Sequence, residues 1–297
     1  MNGPFPRCLK DIPGIIVILT ALACPAFSSE DFTTIYRKAM GGEPEAQYNL
    51  GIAYDQGKGI LQGKEEAAKW YRNAAEQGHA GAQFNVGIAY DQGKGIQQDN
   101  KEAVKWYRRA AEQGHADAQY NLGKSFYAGR GIPQDLAEAA KCWRKAAEQG
   151  HAGAQFSLGV SYSNGHGIPQ DYAEAVKWYR KAAEQGHGLA QTNLGNCYYK
   201  GKGVPQDYAE AVKWWGKGAE QGGIGAQNNL RIAYYNGQGV PQDYLLSYFW
   251  SSLSASGSTG DKDSAKFRDE AAKKLTPEQL EKAQQLIREW EVKHPRK

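Results

Sequence analysis

Residues 152–187 read A-G-A-Q-F-S-L-G-V-S-Y-S-N-G-H-G-I-P-Q-D-Y-A-E-A-V-K-W-Y-R-K-A-A-E-Q-G-H, from Ala152 to His187. Apolar residues at helical spacing fill both halves, and Gly165-His166-Gly167-Ile168-Pro169 interrupts them. The pattern predicts two amphipathic helices, A and B, joined by a glycine-rich turn. The same unit recurs six times in the 297 residues, at a period of 36. One column holds Gly51, Gly87, Gly123, Gly159, Gly195 and then Arg231; another holds Trp70, Trp106, Cys142, Trp178, Trp214 and Trp250. A fixed period of about 20 to 50 residues marks a solenoid, whose small units cannot bury an apolar face alone and so stack on their neighbours. The fold class is therefore all-α, a helical solenoid with a C-terminal helical cap.

Around this period the chain divides into a targeting segment at 1–28, an entry segment at 29–43, six repeats over 44–259 and capping helices at 260–297. The repeats run 44–79, 80–115, 116–151, 152–187, 188–223 and 224–259. In the targeting segment Arg7 and Lys10 form a positive start, and Ile12 to Ala23 an apolar run. Ala21-Leu22-Ala23 and Ala26-Phe27-Ser28 are cleavage candidates, the pattern of a secretory signal. The run is shorter than the roughly 20 apolar residues of a membrane span. The expectation is an exported bacterial protein, periplasmic or secreted. Its one route to the membrane is lipidation at Cys24, which Ala21 and Leu22 fit poorly. Loss of Arg7, Lys10 and Asp11 with the signal lowers the formal charge of +4 by one, too mild a balance to argue for nucleic acid.

Within helix A, stepping about 100° per residue from Ala46 places Leu50, Ala53 and Tyr54 on one core face. Gly51 flanks it, where a missing side chain lets a neighbour approach. Gly57-Lys58-Gly59 and its copies end helix A. Asp135 with Glu138, Asp171 with Glu174 and Asp207 with Glu210 read as capping boxes at the start of helix B, whereas repeat one has Gly63 there. Helix B turns Ala67, Tyr71, Ala74 and Ala75 inward and Glu66 and Lys69 outward. Repeat six departs: Arg231 replaces the glycine, and Leu246 and Phe249, beside Trp250, replace a polar outer face. These need a cover, and residues 261–275 and 277–293 supply it, the second opening with a Thr276–Gln279 capping box and Pro277 at its first position. Phe32, Ile35, Tyr36 and Ala39 predict a shorter helix at the other end. Cys142 and Cys197 are separated in the stack by two helices at about 8–10 Å per contact, beyond the roughly 7 Å limit for a disulfide, so both are expected as free thiols.

The unit A-x-A-Q-x-x-L-G-x-x-Y-x-x-G-x-G-[IV]-P-Q-D-x-x-E-A-x-K-W-x-x-K-A-A-E-Q-G-H resembles the Sel-1-like repeat, a relative of the tetratricopeptide repeat with a longer turn. The Lys274–Gln279 run is similar to the tail of bacterial members. The resemblance covers 44–259 and implies a right-handed α/α superhelix with helix A on its concave side. It also implies an adaptor in envelope assembly, signalling or host contact. The functional expectation is a non-enzymatic scaffold that binds another protein or peptide. The alternative the resemblance implies is a β-lactam-binding or weakly hydrolytic protein, as among cysteine-rich secreted members; the repeats here lack the cysteine pairs of those members. A regulator of a membrane-bound enzyme is a third reading.

No catalytic residue, cofactor or metal site is expected. His79, His115, His151 and His187 share a column, but copies one repeat apart lie about 10 Å from each other, too far to share one zinc ion at about 2 Å. They read as polar turn residues, and His166 as a solvated one. Lys58, Lys94, Arg130, His166 and Lys202 form at most a mild basic ridge. No G-x-S-x-G or P-loop spacing occurs. The candidate partner surface is the side of helix A opposite its core face: Tyr48, Ile52, Phe84, Ile88, Tyr120, Phe156 and Val160, with Tyr199 and Tyr235 entering toward the C-terminus. Aromatic residues are favoured anchors, although the Tyr48 column also suits packing between helices. The sharper expectation is an extended or helical peptide docked against Phe84, Ile88, Tyr120 and Phe156.

Overall fold

The computed structural model describes residues 29–58, 60–256 and 262–295. The targeting segment, with Cys8, Cys24 and both cleavage candidates, lies outside them. The described residues form fifteen helices and no strand. Helix α1 (Ser29–Met40) precedes six A–B pairs: α2 (Pro44–Gln56) and α3 (Lys64–Glu76), α4 (Ala80–Gln92) and α5 (Asn100–Glu112), α6 (Ala116–Ala128) and α7 (Leu136–Glu148). The pairs continue as α8 (Ala152–Asn164) and α9 (Tyr172–Glu184), α10 (Gly188–Lys200) and α11 (Tyr208–Glu220), α12 (Ile224–Asn236) and α13 (Tyr244–Ala255). Helices α14 (Lys262–Ala272) and α15 (Pro277–Lys293) close the chain. None of the described helices is long and apolar enough to cross a membrane.

The chain divides into two compact units, one ending at Ala110 and one beginning at Ala111. In the first, α1 packs on α2, α2 on α3 and α3 on α4. In the second, each helix from α6 to α13 packs on the next, and α13 takes both α14 and α15. This successive packing is the solenoid order expected from the period. Ala46, Leu50 and Ala53 of α2 and Ala67, Tyr71, Ala74 and Ala75 of α3 are all buried, as the wheels require. A Cβ on Gly51 would lie 2.6 Å from the Tyr71 ring, so the glycine column is a notch for the aromatic ring twenty residues on. The second turn glycine has a different duty: a Cβ on Gly167 would sit 2.1 Å from the Leu136 carbonyl oxygen, at the head of the previous helix B.

The caps correct one expectation. Asp135, Asp171 and Asp207 accept from the first-turn amides of helix B. The reciprocal half of the box does not form. The N–H groups of Asp135, Asp171 and Asp207 already donate to Phe126, Tyr162 and Tyr198 carbonyls at the end of helix A. Glu138, Glu174 and Glu210 instead accept from Lys141, Lys177 and Lys213, at 2.5, 2.5 and 2.9 Å. Gly63, with no side chain, makes no such cap. At the C-terminus the Thr276–Gln279 box is complete. Phe249 and Trp250 meet Trp290 of α15 at 5.9 and 5.4 Å between ring centres, which is the cover that repeat six called for. Neither Cys142 nor Cys197 is in a disulfide, and burial pushes the Cys197 thiol up to about 11.

Candidate functional site

The A helices present the candidate surface, and all nine of its residues are half-buried. What covers the rings is helix B of their own repeat and the histidine that ends it. The Tyr48 ring lies 4.4 Å from the His79 ring at 27°, and 5.9 Å from that of Tyr71. In the second unit Tyr120 stacks on His151 at 4.5 Å. Phe156 stacks on His187 at 4.7 Å and leans on Tyr179 at 6.0 Å. Phe84 contacts Tyr107 at 6.0 Å. One face of each ring thus serves packing, and the column keeps only its remaining edge toward solvent. Burial, with Glu45 nearby, raises the Tyr48 phenol above its ordinary pKa, so it stays a neutral donor at physiological pH.

The column of Ile52, Ile88 and Val160 runs beside these rings. Val160 and Phe156 pack on one core cluster with Tyr179 and Cys197. Lys124 breaks the column, and its ammonium lies 5.0 Å over the Tyr120 ring. Tyr199 and Tyr235 belong to other stacks, at the turn end of helix A. Tyr199 meets Tyr208 at 5.2 Å and Trp215 at 5.4 Å, and its hydroxyl donates to Gln238 Oε1 at 3.2 Å. Tyr235 meets Tyr244 and Phe267 edge-on. The turn-edge pairing is an ion pair in repeat one, Asp55 with Lys64 at 2.8 Å.

Two polar columns that sequence reasoning passed over hold this surface in place. The first is glutamine. Gln47, Gln83, Gln119, Gln155, Gln191 and Gln227 are buried, at 4–6% exposure. Each donates to an alanine carbonyl in the last turn of the helix before it, as Gln155 does to Ala147 at 3.1 Å. Gln155 in turn accepts from Gln185 at the end of its own helix B, 2.7 Å away. A helix end leaves carbonyls without partners, and this ladder satisfies them between repeats. The signal was glutamine recurring on the core side of helix A in all six units. The second column is histidine, read from the sequence as a turn residue. Each of His79, His115, His151 and His187 is an N-cap whose side chain accepts from the backbone N–H three residues on. His166, expected in solvent, is half-buried with its ring 6.2 Å from that of Tyr127. Among the described residues no group of three metal-ligating side chains occurs.

The Sel1 repeat family matches at residues 44–79, 80–115, 116–151, 152–187, 188–223 and 225–258. Among solved structures, a Sel1 repeat protein from Oxalobacter formigenes is 38% identical over 76% of this chain and 90% of its own, with a TM-score of 0.68. A protective antigen of uropathogenic Escherichia coli strains, with an SLR fold, is 27% identical over 89% of this chain and 80% of its own, with a TM-score of 0.48. An immunity protein from Pseudomonas aeruginosa is 21% identical over 77% of this chain and 83% of its own, at 0.42. No curated protein matches. Six consecutive matches, together with the notch, the turn and the caps seen here, place the chain in the Sel1 repeat family.

Proposed function

We propose that this chain is a non-enzymatic scaffold, exported from a bacterial cell, that holds a partner protein or peptide on the outward edge of its A helices. Sel1 repeat proteins in general mediate protein–protein interaction. One observation carries the reading for this chain. The recurring polar groups are spent on structure: His on N-caps, Gln on helix ends, Asp on helix B, Glu on Lys. The A-helix rings, by contrast, remain half-exposed after packing. Half-exposed aromatic and branched side chains on a rigid scaffold are what a partner's apolar side chains bury against.

A photo-crosslinking residue placed at Val160, and separately at Lys177 on the outer face of α9, tests the surface in cells. The expected result is one discrete crosslinked species from Val160 and none from Lys177. Equal crosslinking from both, or crosslinking from Lys177 alone, overturns the assignment. Fractionation of cells carrying a C-terminally tagged chain tests export, and retention in the cytoplasm overturns it. A chromogenic β-lactam is expected to be hydrolysed at background rate, since no repeat carries a pair of cysteines. Turnover above background would refute the non-enzymatic half of the proposal.

A further inference from the structure

The histidine caps differ from the aspartate caps in one chemical respect: an imidazole accepts through a ring nitrogen that can itself take up a proton. Nδ1 of His79 and of His151 accepts from Ala82 and Ala154 at 3.0 Å, and Nδ1 of His115 and of His187 from Ala118 and Ala190 at 3.3 Å. A neutral imidazole that accepts through Nδ1 carries its proton on Nε2. At His79 that Nε2 faces a Glu45 carboxylate oxygen at 3.0 Å, and at His151 it faces Asp117 at 3.2 Å. At His187 the corresponding residue of α8 is Gly153, which has no side chain to offer.

A second proton would enter at Nδ1. It turns the acceptor into a donor facing the Ala N–H, so the cap bond is lost, and it places a positive charge at the positive end of the helix. The carboxylates beside His79 and His151 offset that charge. The surroundings of His187 do not. There α8 presents the Phe156 ring and Gly153, and α9 presents the Ala182 carbonyl, which takes the His187 backbone N–H. The titratable group acting on the ring from the neighbouring repeat is His151, of like sign when charged.

We propose that His187 fastens repeats four and five in a proton-dependent way, and that acid releases it before His151, the cap between repeats three and four that has a carboxylate beside it. The sign follows from linkage. Burial lowers the His187 pKa below its ordinary 6.5. The unfolded chain therefore takes the proton before the folded one as pH falls. The contribution of His187 is complete above about 6.5 and is lost progressively as pH drops toward its folded-state value.

Hydrogen–deuterium exchange on the full chain tests this, between about pH 7.5 and about pH 5.5, with rates normalised to intrinsic amide chemistry. In the wild type, protection of the Ala190 amide should fall by about fivefold, bounded at about tenfold by the single-proton linkage, while Ala154, capped by His151 beside Asp117, changes by less than about threefold. His187→Asn keeps a capping acceptor that does not titrate, and its Ala190 protection should be flat with pH. His187→Ala should be poorly protected at every pH. The proposal is overturned by flat protection in the wild type. It is equally overturned by a His187→Asn variant that follows the wild-type pH dependence, or by Ala154 opening at or above the pH at which Ala190 opens.

Discussion

Repeats five and six are written from one template and lie in the same unit, yet repeat six buries an outer face that repeat five leaves exposed. In repeat five Gly195 receives the Trp215 indole, and a Cβ there would lie 2.5 Å from the ring. Repeat six exchanges both members of the pair for Arg231 and Ser251. Arg231 is 5% exposed; it donates to Asn228 Oδ1 at 3.0 Å and lies 4.1 Å over the Phe267 ring of α14. Ser251 is fully buried where the indole would stand. The outer face changes in parallel. Glu210 and Lys213 form an exposed ion pair at 2.9 Å, whereas the same positions in repeat six are Leu246 and Phe249, with Phe249 under Trp290. A ring in a glycine notch belongs to a repeat that continues. A large residue over a small one, with an apolar back, belongs to a repeat that stops and recruits a cap.

The largest effect should come from removing what repeat six recruits. Deleting 261–297 exposes Phe249 and Trp250, each worth about 1.5–3 kcal/mol when buried. At about 2–4 °C per kcal/mol for a chain near this size, the melting temperature should fall by about 10 °C, with association that grows with concentration. Calorimetry and light scattering on the truncated chain read both. A monomer with unchanged melting would mean that repeat six needs no cover and that the contrast is empty.

Next in size is the notch itself. Gly195→Ala drives a methyl into Trp215 and should cost about 1–3 kcal/mol. Gly216→Ala in α11 is the control: a Cβ there meets nothing within 4 Å, so helix propensity should make it stabilising by up to about 1 kcal/mol. Equal effects of the two would erase the notch. The reciprocal exchange is subtler. Arg231→Gly and Ser251→Tyr should each destabilise, and together they should cost less than the sum by about 1 kcal/mol, because the pair recreates the continuing geometry. Strict additivity in denaturant unfolding would show that residues 231 and 251 are not coupled.

Most of this contrast is visible in the columns alone. The period of the glycines and tryptophans places every helix pair, and the apolar Leu246, Phe249 and Trp250 announce the cap. The polar columns were harder for a physical reason. A helical glutamine is ordinarily solvated, and the burial of Gln155 follows only from the neighbouring helix end whose Ala147 carbonyl it satisfies. Histidine is an uncommon cap, so the acceptor role of His151 depends on a ring orientation that its stack on Tyr120 sets. The second half of the aspartate boxes failed because the Asp135 N–H is taken by Phe126, a partner nine residues back across the turn. The outward edge of the candidate surface has the same origin: the sequence shows which rings lie opposite the core face, while the packing of helix B and its terminal histidine decides how much of each ring is covered.

The smallest effect concerns the repeat at the other end. Repeat one lacks the helix B cap that repeats two to six carry, and Gly63 already has the backbone for it. Its φ and ψ are −150° and 106°, against −149° and 105° at Asp171. A Cβ there would meet Glu66 Cβ at 3.8 Å and Tyr54 Cδ1 at 3.9 Å, both ordinary contacts. Gly63→Asp therefore adds an acceptor for the first-turn amides without moving the chain. Replacing a glycine N-cap gains only a few tenths of a kcal/mol through the cap itself, because glycine exposes its amides to water. The stiffer unfolded chain adds about 0.4–1 kcal/mol, and the nearby Glu65 and Glu66 charges take part of it back. Glu66 is already tied to Lys69 at 2.6 Å, which limits that repulsion. The net expectation is a gain of about 0.5 kcal/mol, or about 1–2 °C. Asp171→Gly should lose a similar amount. A destabilised Gly63→Asp would mean that repeat one starts helix B by a different geometry, and that the likeness of its backbone angles to those of Asp171 carries no energetic consequence.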